Sequence, residues 1–474
     1  MLNPSLQTPM SFGLFQDFGP DLSAEQKQLT TLRRMIWLYF ALLIAEGALR
    51  KWIVPSLTGP LLIIRDPLVL LIYVQAVRCR RFPASGPMVA YFALLGGFIL
   101  LALFQVIAGI GGGPLVAAYG LRTNFLHLPL IFIIPQVFSF ADVIKVGRWM
   151  LILCVPMAGL MIWQFLSPPG SWINAAATPD GHQISFAMGK IRPAGTFSFA
   201  TGAAHFFVLA TAFLIYGLTQ PRANYSRWLL GAALLSVIAV QPVSGSRLLV
   251  LGCALVALAA VVFATLNWGR AHRILAIAAL ICATLAVLSL TSFFREAMTV
   301  FMSRWNDASE GSASVSLTMR IVGWFLDPFA LLPEAGLFGK GVGLGTNAAS
   351  ALMTGTLQFL LAETEWSRVI LEAGPLLGFS FLAYRTWVAG DMAVRAAAAA
   401  KQQHLLAWLL AWDACRSLIA EQISQPTNLG FMIFVSGLCL AAMPAGRSAF
   451  AAELAARSDQ PLHRTLRFES QFPQ

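Results

Sequence analysis

Charged residues are scarce in this sequence: they make up 11% of its 474 residues, while 58% are hydrophobic. Soluble domains carry about 25% charged residues. A chain this poor in charge cannot clothe a globular surface, so lipid is expected to be its main solvent. Cysteine is also sparse. Cys79, Cys154, Cys253, Cys282, Cys415 and Cys439 form no CxxC, and all but Cys79 lie in apolar segments. They read as small core residues, not as a disulfide framework or thiolate ligands. His127, His182 and His205 have no ligand spacing, so neither a metal nor a cofactor is expected. No internal repeat is visible, which speaks against the inverted-repeat carriers. No cleavable leader is expected either. About 30 mostly polar residues precede the first apolar run, so the first helix reads as a retained anchor.

What the sequence does have is long apolar runs. Leu248–Leu266 and Ile274–Leu290 contain no charge at all. Runs of this kind approach the roughly 20 residues needed to cross a bilayer, and in hydrocarbon they must be helical. The expected fold is an all-α polytopic membrane protein of about 12 spans. These fall near 35–50, 61–77, 87–109, 114–138, 149–166, 196–217, 228–243, 248–266, 274–292, 366–388, 404–421 and 428–444.

Basic residues cluster in alternate connections. Lys27, Arg33 and Arg34 precede the first span; Arg78, Arg80 and Arg81, Lys145 and Arg148, Arg222 and Arg227, Arg270 and Arg273, and Arg395 and Lys401 follow. The positive-inside rule then puts both termini in the cytoplasm, 1–34 before the spans and 446–474 after them. The net charge of +11 is explained by that rule, and nucleic acid is not expected as a partner. Two segments remain on the far side: a loop at 167–195, and a large one at 294–365 between the ninth and tenth spans. Long connections of this kind are usually functional. A short interfacial helix is expected within the second, over Ala351–Leu361.

The informative charges are those on the far side, against the basic trend: Arg50, Lys51, Arg65, Arg122, Lys190, Arg192, Arg247, Arg304, Arg320, Lys340 and Arg368. An arginine in a membrane normally faces a cavity or a partner. Arg65 and Asp66 are adjacent, and helical neighbours at i and i+1 point apart, so each needs its own partner. Arg50 follows Glu46 by one turn, a local ion pair. Arg122 and Arg247 sit at predicted span edges, where snorkelling is the plain reading. Arg192 and Arg320 precede apolar or aromatic stretches in the external segments. Converging guanidinium forks would suit a diphosphate. Glu365, Arg368 and Glu372 share one helical face, and Glu363 lies just before them; a carboxylate there could act as a general base, or the set could be an ion-pair ladder. The glycine-rich run Gly339–Gly345 lacks the context of a nucleotide-binding loop and reads as a turn approaching a lipid-linked phosphate, or simply as a flexible turn. Asp413 and Arg416 read as a structural ion pair.

Several of these stretches, taken in order, resemble the O-antigen ligase/polymerase superfamily of bacterial inner-membrane proteins, in its exopolysaccharide polymerase-like branch. The resemblance rests on Glu46-Gly-Ala-Leu-Arg-Lys-Trp, Ile64-Arg-Asp-Pro, Tyr119-Gly-Leu-Arg-Thr-Asn, Arg192-Pro-Ala-Gly-Thr-Phe, Ser244-Gly-Ser-Arg, Arg320 with Gly339–Gly345, and Glu372-Ala-Gly opening a helix. It implies a fold like the C-type glycosyltransferases and a metal-independent transferase. The donor would be a glycan on undecaprenyl diphosphate, the acceptor group a sugar hydroxyl, and the partners the lipid-linked oligosaccharide and the growing polysaccharide chain. Arg320 and Arg192, with Arg247 and Arg122 behind them, would bind the diphosphate, and Arg65, Arg368 and Glu372 would line the site. Ligases of the superfamily carry a histidine about nine residues before the Glu-x-Gly element. Here that position is Glu363, which favours a polymerase with Glu363 or Glu365 as base. A ligase using another acceptor, or a transporter such as a flippase for lipid-linked glycans or a secondary carrier, is the alternative. The reading leaves room for a chain-length regulator or export complex as a further partner.

Overall fold

The computed structural model describes residues 22–177, 188–220, 225–267, 271–310, 317–356 and 359–444. Most of the N-terminal segment, the tail 446–474, His182, Arg222 and Arg270 lie outside them, as do the side chains of Arg304 and Arg320. Among the described residues the regular elements are helices, with no β-strand.

The first half of the chain comprises α1 (Leu22–Ala48), α2 (Arg65–Arg78), α3 (Gly86–Ile107), α4 (Gly113–Leu121), α5 (Leu130–Val137), α6 (Phe140–Leu166) and α7 (Ala200–Thr219). Then come α8 (Arg227–Val243), α9 (Arg247–Leu266), α10 (Ala271–Ser289), α11 (Ser292–Glu310), α12 (Leu317–Ala330), α13 (Leu332–Ala335) and α14 (Asn347–Thr354). The chain closes with α15 (Glu365–Lys401), α16 (Leu405–Ala420) and α17 (Pro426–Ala442). Two five-residue π-helical turns interrupt the pattern, Leu49–Ile53 after α1 and Arg122–Leu126 between α4 and α5. Each begins or continues with an arginine that the site uses.

Among the described residues, six helical stretches are long and apolar enough to cross a membrane: Pro60–Arg78, Gly86–Ile107, Gly113–Val137, Phe140–Leu166, Ala200–Thr219 and Arg247–Leu266. A seventh appears if α10 and α11, which meet at a 100° bend, count as one. Apolar side chains stand exposed on their flanks, such as Leu70, Leu71 and Val77 on α2 and Leu100, Leu103 and Ile107 on α3. Such flanks are stable in lipid, not in water. The remaining expected spans also coincide with helices, but α8 and α17 are only 17 residues long, and α16 carries Asp413 and Arg416 within 16. The segment 294–365, expected as a loop, is mostly helical in its described part, from α11 to α14. Its short helix is Asn347–Thr354, which begins and ends earlier than expected.

Hydrogen bonds between connections define the two ends of the bundle. At one end Arg33 reaches Val137 O, Gln75 reaches Gln28 O, Arg273 reaches Thr219 O and Asn267 reaches Ala400 O. This is the basic end. At the other, Trp52 donates to Trp172 O, Lys190 pairs with Glu296 at 3.3 Å, and Gln105 donates to Phe338 O. α7 and α17 are buried along almost their whole length and form the centre, α17 packing against α5, α7 and α16.

α15 is not one straight helix. Gly374 has φ 72° and ψ 175°, far from helical values. Glu365 and Arg385 are 20 residues apart, which a straight helix would separate by about 30 Å; instead Arg385 Nη1 donates to Glu365 Oε1 at 2.5 Å. The limb Glu365–Ala373 therefore doubles back against the longer limb that starts at Pro375. The Glu372-Ala-Gly element thus ends the short limb, where an opening element was expected. Only glycine fits at 374, because a Cβ there would strike Leu337 O.

Candidate functional site

The doubled-back limb brings a ladder of charges into the protein interior. Arg368, fully buried, donates from Nε and Nη2 to Glu365 (3.0 and 2.9 Å) and from Nη1 to Glu372 Oε2 (2.9 Å). Its Nη2 also donates to Asn124 Oδ1 at 3.0 Å, in the second π-helical turn. Arg385 supplies the second cation to Glu365, and its other N–H groups donate to Leu418 O, Ser417 O and Glu421 O. Those carbonyls lie at the C-terminal end of α16, the negative end of its dipole, so a guanidinium there is well placed. Two carboxylates against two guanidiniums make the ladder neutral, the condition for burying charge at all.

A second cluster joins α1, α2 and the second π-helical turn. Glu46 receives Arg65 Nε at 2.9 Å and lies 3.7 Å from Arg50 Nη1. Asp66 receives Arg122 through both Nε (2.6 Å) and Nη2 (2.7 Å), and lies 3.0 Å from His127 Nε2. Tyr39 OH completes the chain at 3.1 Å from His127 Nδ1. Arg65 and Asp66 thus have separate partners, as their adjacency requires. Arg122 does not snorkel; its side chain is 12% exposed and forks onto Asp66.

A third cluster surrounds the turn between α16 and α17. Arg416 pairs with Asp413 at 2.9 Å and with Glu421 at 2.8 Å; Glu421 also lies 3.2 Å from His205 and accepts from Asn428. This turn ties the clusters together. Arg65 Nη2 donates to Pro426 O at 2.6 Å, Ile423 N donates to Glu365 Oε2 at 3.3 Å, and Arg385 holds Glu421 O.

The same network reaches the loop that carries Arg192. Arg50 Nη1 donates to Ser198 Oγ at 2.9 Å and Lys51 Nζ to Gly195 O at 2.5 Å. Lys51 has no carboxylate partner among the described residues and also sits 4.3 Å from the Trp52 ring. Burial without a counter-charge brings its ammonium down to about 7.

The glycine run has its amides turned into the protein. Lys340 N donates to Leu371 O, Val342 N to Gln105 Oε1 and Gly345 N to Glu372 Oε1, all at 2.7–2.8 Å. Gly339, Gly341 and Gly343 have φ of 72°, 134° and 93°, and a Cβ on Gly343 would strike Val116 O and Gly120. The run is a close-packed brace under Glu372, between α4 and α15. Lys340 pairs with Glu334.

Of the residues singled out in the sequence, Arg65, Arg122, Glu365, Arg368 and Glu372 fall in one buried network. Glu363 is exposed, just before that network. Arg192 and Arg247 are half-buried, and Arg320 lies on α12, whose Phe325 packs against Trp366 at 4.9 Å. Asp413 and Arg416 form the expected ion pair. No group of His, Cys, Asp and Glu among the described residues could hold a metal. The sequence reading passed over Arg385, Gln105, Asn124 and Glu421. Arg385 left a signal, a single arginine inside an apolar helix; the other three acquire meaning only from contacts across the fold. No protein-family model matches the chain, and no curated protein matches it.

Proposed function

We propose that this protein is a membrane glycosyltransferase that polymerises oligosaccharide repeats carried on undecaprenyl diphosphate, with about twelve crossings and its site on the periplasmic face of the inner membrane. The observation that carries the reading is the single network just described. It links the Arg192 loop, through Arg50, Glu46 and Arg65, to the α16–α17 turn and on to Glu365, two residues from the exposed Glu363. Cationic loops for a diphosphate and a reachable carboxylate for an acceptor would then belong to one rigid frame.

In this reading an acceptor hydroxyl oxygen attacks the anomeric carbon of the donor. The bond from that carbon to the diphosphate oxygen breaks, and undecaprenyl diphosphate leaves with the electron pair. Glu363 takes the hydroxyl proton; Glu365, enclosed by two arginines and Ile423 N, serves to position the limb that presents it. Arg192, Arg247 and Arg320 meet the diphosphate, while Arg65, Arg122 and Arg368 hold the frame through their carboxylates. No metal takes part in this scheme.

The test is kinetic. Glu363→Gln should lower the rate of chain extension by about 100-fold or more, the usual scale for losing a general base, with donor binding unchanged. Equal loss of binding and rate would move Glu363 out of the base role. The Arg416–Asp413–Glu421–His205 cluster is the observation that favours a carrier instead, since coupled ionisable groups inside a bundle also serve transport.

A further inference from the structure

The basic end holds a cavity of about 490 Å³ that the network does not touch. It lies between the α2–α3 connection, the end of α5, the long limb of α15 and the end of α17. Its walls have two characters. Val388, Met392 and Leu440 give an apolar surface, while Arg81 and Arg395 bring guanidinium groups from two separate elements. Arg395 is held by Asp391 at 2.9 Å, yet its side chain remains 57% exposed.

We propose that this cavity binds the head group of an anionic phospholipid, with Arg81 and Arg395 on the phosphodiester and an acyl chain along Val388, Met392 and Leu440. A wholly apolar pocket would accept any acyl chain without regard to head group. Two guanidinium forks select a phosphate with no cation of its own, because a zwitterionic head group competes with them for it. The setting agrees: basic pockets between helices at the basic face of a membrane protein are the expected place for anionic lipid. The proposal is independent of the glycosyl-transfer reading.

The test is native mass spectrometry of the purified full chain, delipidated and titrated with phosphatidylglycerol or phosphatidylcholine. Phosphatidylglycerol should bind more tightly by about 25-fold, at about fivefold for each of the two arginines. Arg81→Gln with Arg395→Gln should erase the preference; Arg395→Gln alone, the variant to use should the double one fold poorly, should reduce it by about fivefold. Lys145→Gln with Arg34→Gln, which removes two charges at the same end outside the cavity, should leave it intact. Equal binding of the two lipids by the wild type would overturn the proposal. So would equal loss in the control variant, or displacement of the lipid by millimolar inorganic phosphate.

Discussion

Replacing Glu365 by glutamine removes one negative charge from a site that offers almost no water. The side chain of Glu365 is fully buried and accepts from Arg368 twice, from Arg385 once and from Ile423 N. Glutamine keeps the shape, but its amide N–H₂ would face donors, and two guanidiniums would be left with only Glu372 as counter-charge. Breaking a buried pair from one side costs about 3–5 kcal/mol. At about 2 °C per kcal/mol, as for larger domains, the apparent Tm in detergent should fall by roughly 6–10 °C. Arg385→Gln alone should be comparably harmful, since the α16 carbonyls lose their donor as well. The double variant removes both charges together, so it should be less destabilised than the sum by about 2 kcal/mol. Fluorescence-monitored melting of the four proteins at one scan rate supplies the cycle. Strict additivity would refute the reasoning, because it would mean that residues 365 and 385 do not touch and that α15 does not double back at Gly374.

Two further outcomes follow from the same geometry. Gly343→Ala should cost more than about 2 kcal/mol, because the new Cβ strikes Val116 O and Gly120 and the backbone is left-handed; a melting curve equal to wild type would contradict the brace role of the glycine run. Lys51 holds its proton less firmly in the folded protein, at about 7, than in the unfolded chain, near 10.5. The unfolded state therefore binds more protons between those values, and stability should rise by about 2 kcal/mol from pH 7 to pH 9. Lys51→Met should flatten that rise and be more stable than wild type at pH 7; an unchanged pH dependence would remove Lys51 as its source.

The parts of the fold that were legible in the sequence are those governed by one-dimensional rules. The uncharged run Leu248–Leu266 became α9 almost residue for residue, and the adjacency of Arg65 and Asp66 was enough to require two partners. Which partners could not be read, since Glu46 and Arg122 lie 19 and 56 residues away. The face shared by Glu365, Arg368 and Glu372 was legible from helical spacing. The fold-back that gives it meaning was not, because Gly374-Pro375 inside an apolar stretch reads equally as a mild kink. The amphipathic helix α12 escaped because a window tuned to about 20 apolar residues passes over it, whereas α14 was expected, a few residues too late in the chain. The closeness of Gly339–Gly345 to Glu372 and Gln105 likewise depends on chain segments brought together only by folding.

The central claim is tested most directly by reconstituting the purified protein in liposomes with oligosaccharide repeats on undecaprenyl diphosphate, without nucleotide or added metal, and resolving the products on a gel. The account predicts a ladder of lengthening glycans with release of undecaprenyl diphosphate, and strongly reduced extension in Glu363→Gln. Unextended substrate recovered on the opposite leaflet would contradict it and identify a carrier, with Asp413, Arg416, Glu421 and His205 as the residues to pursue.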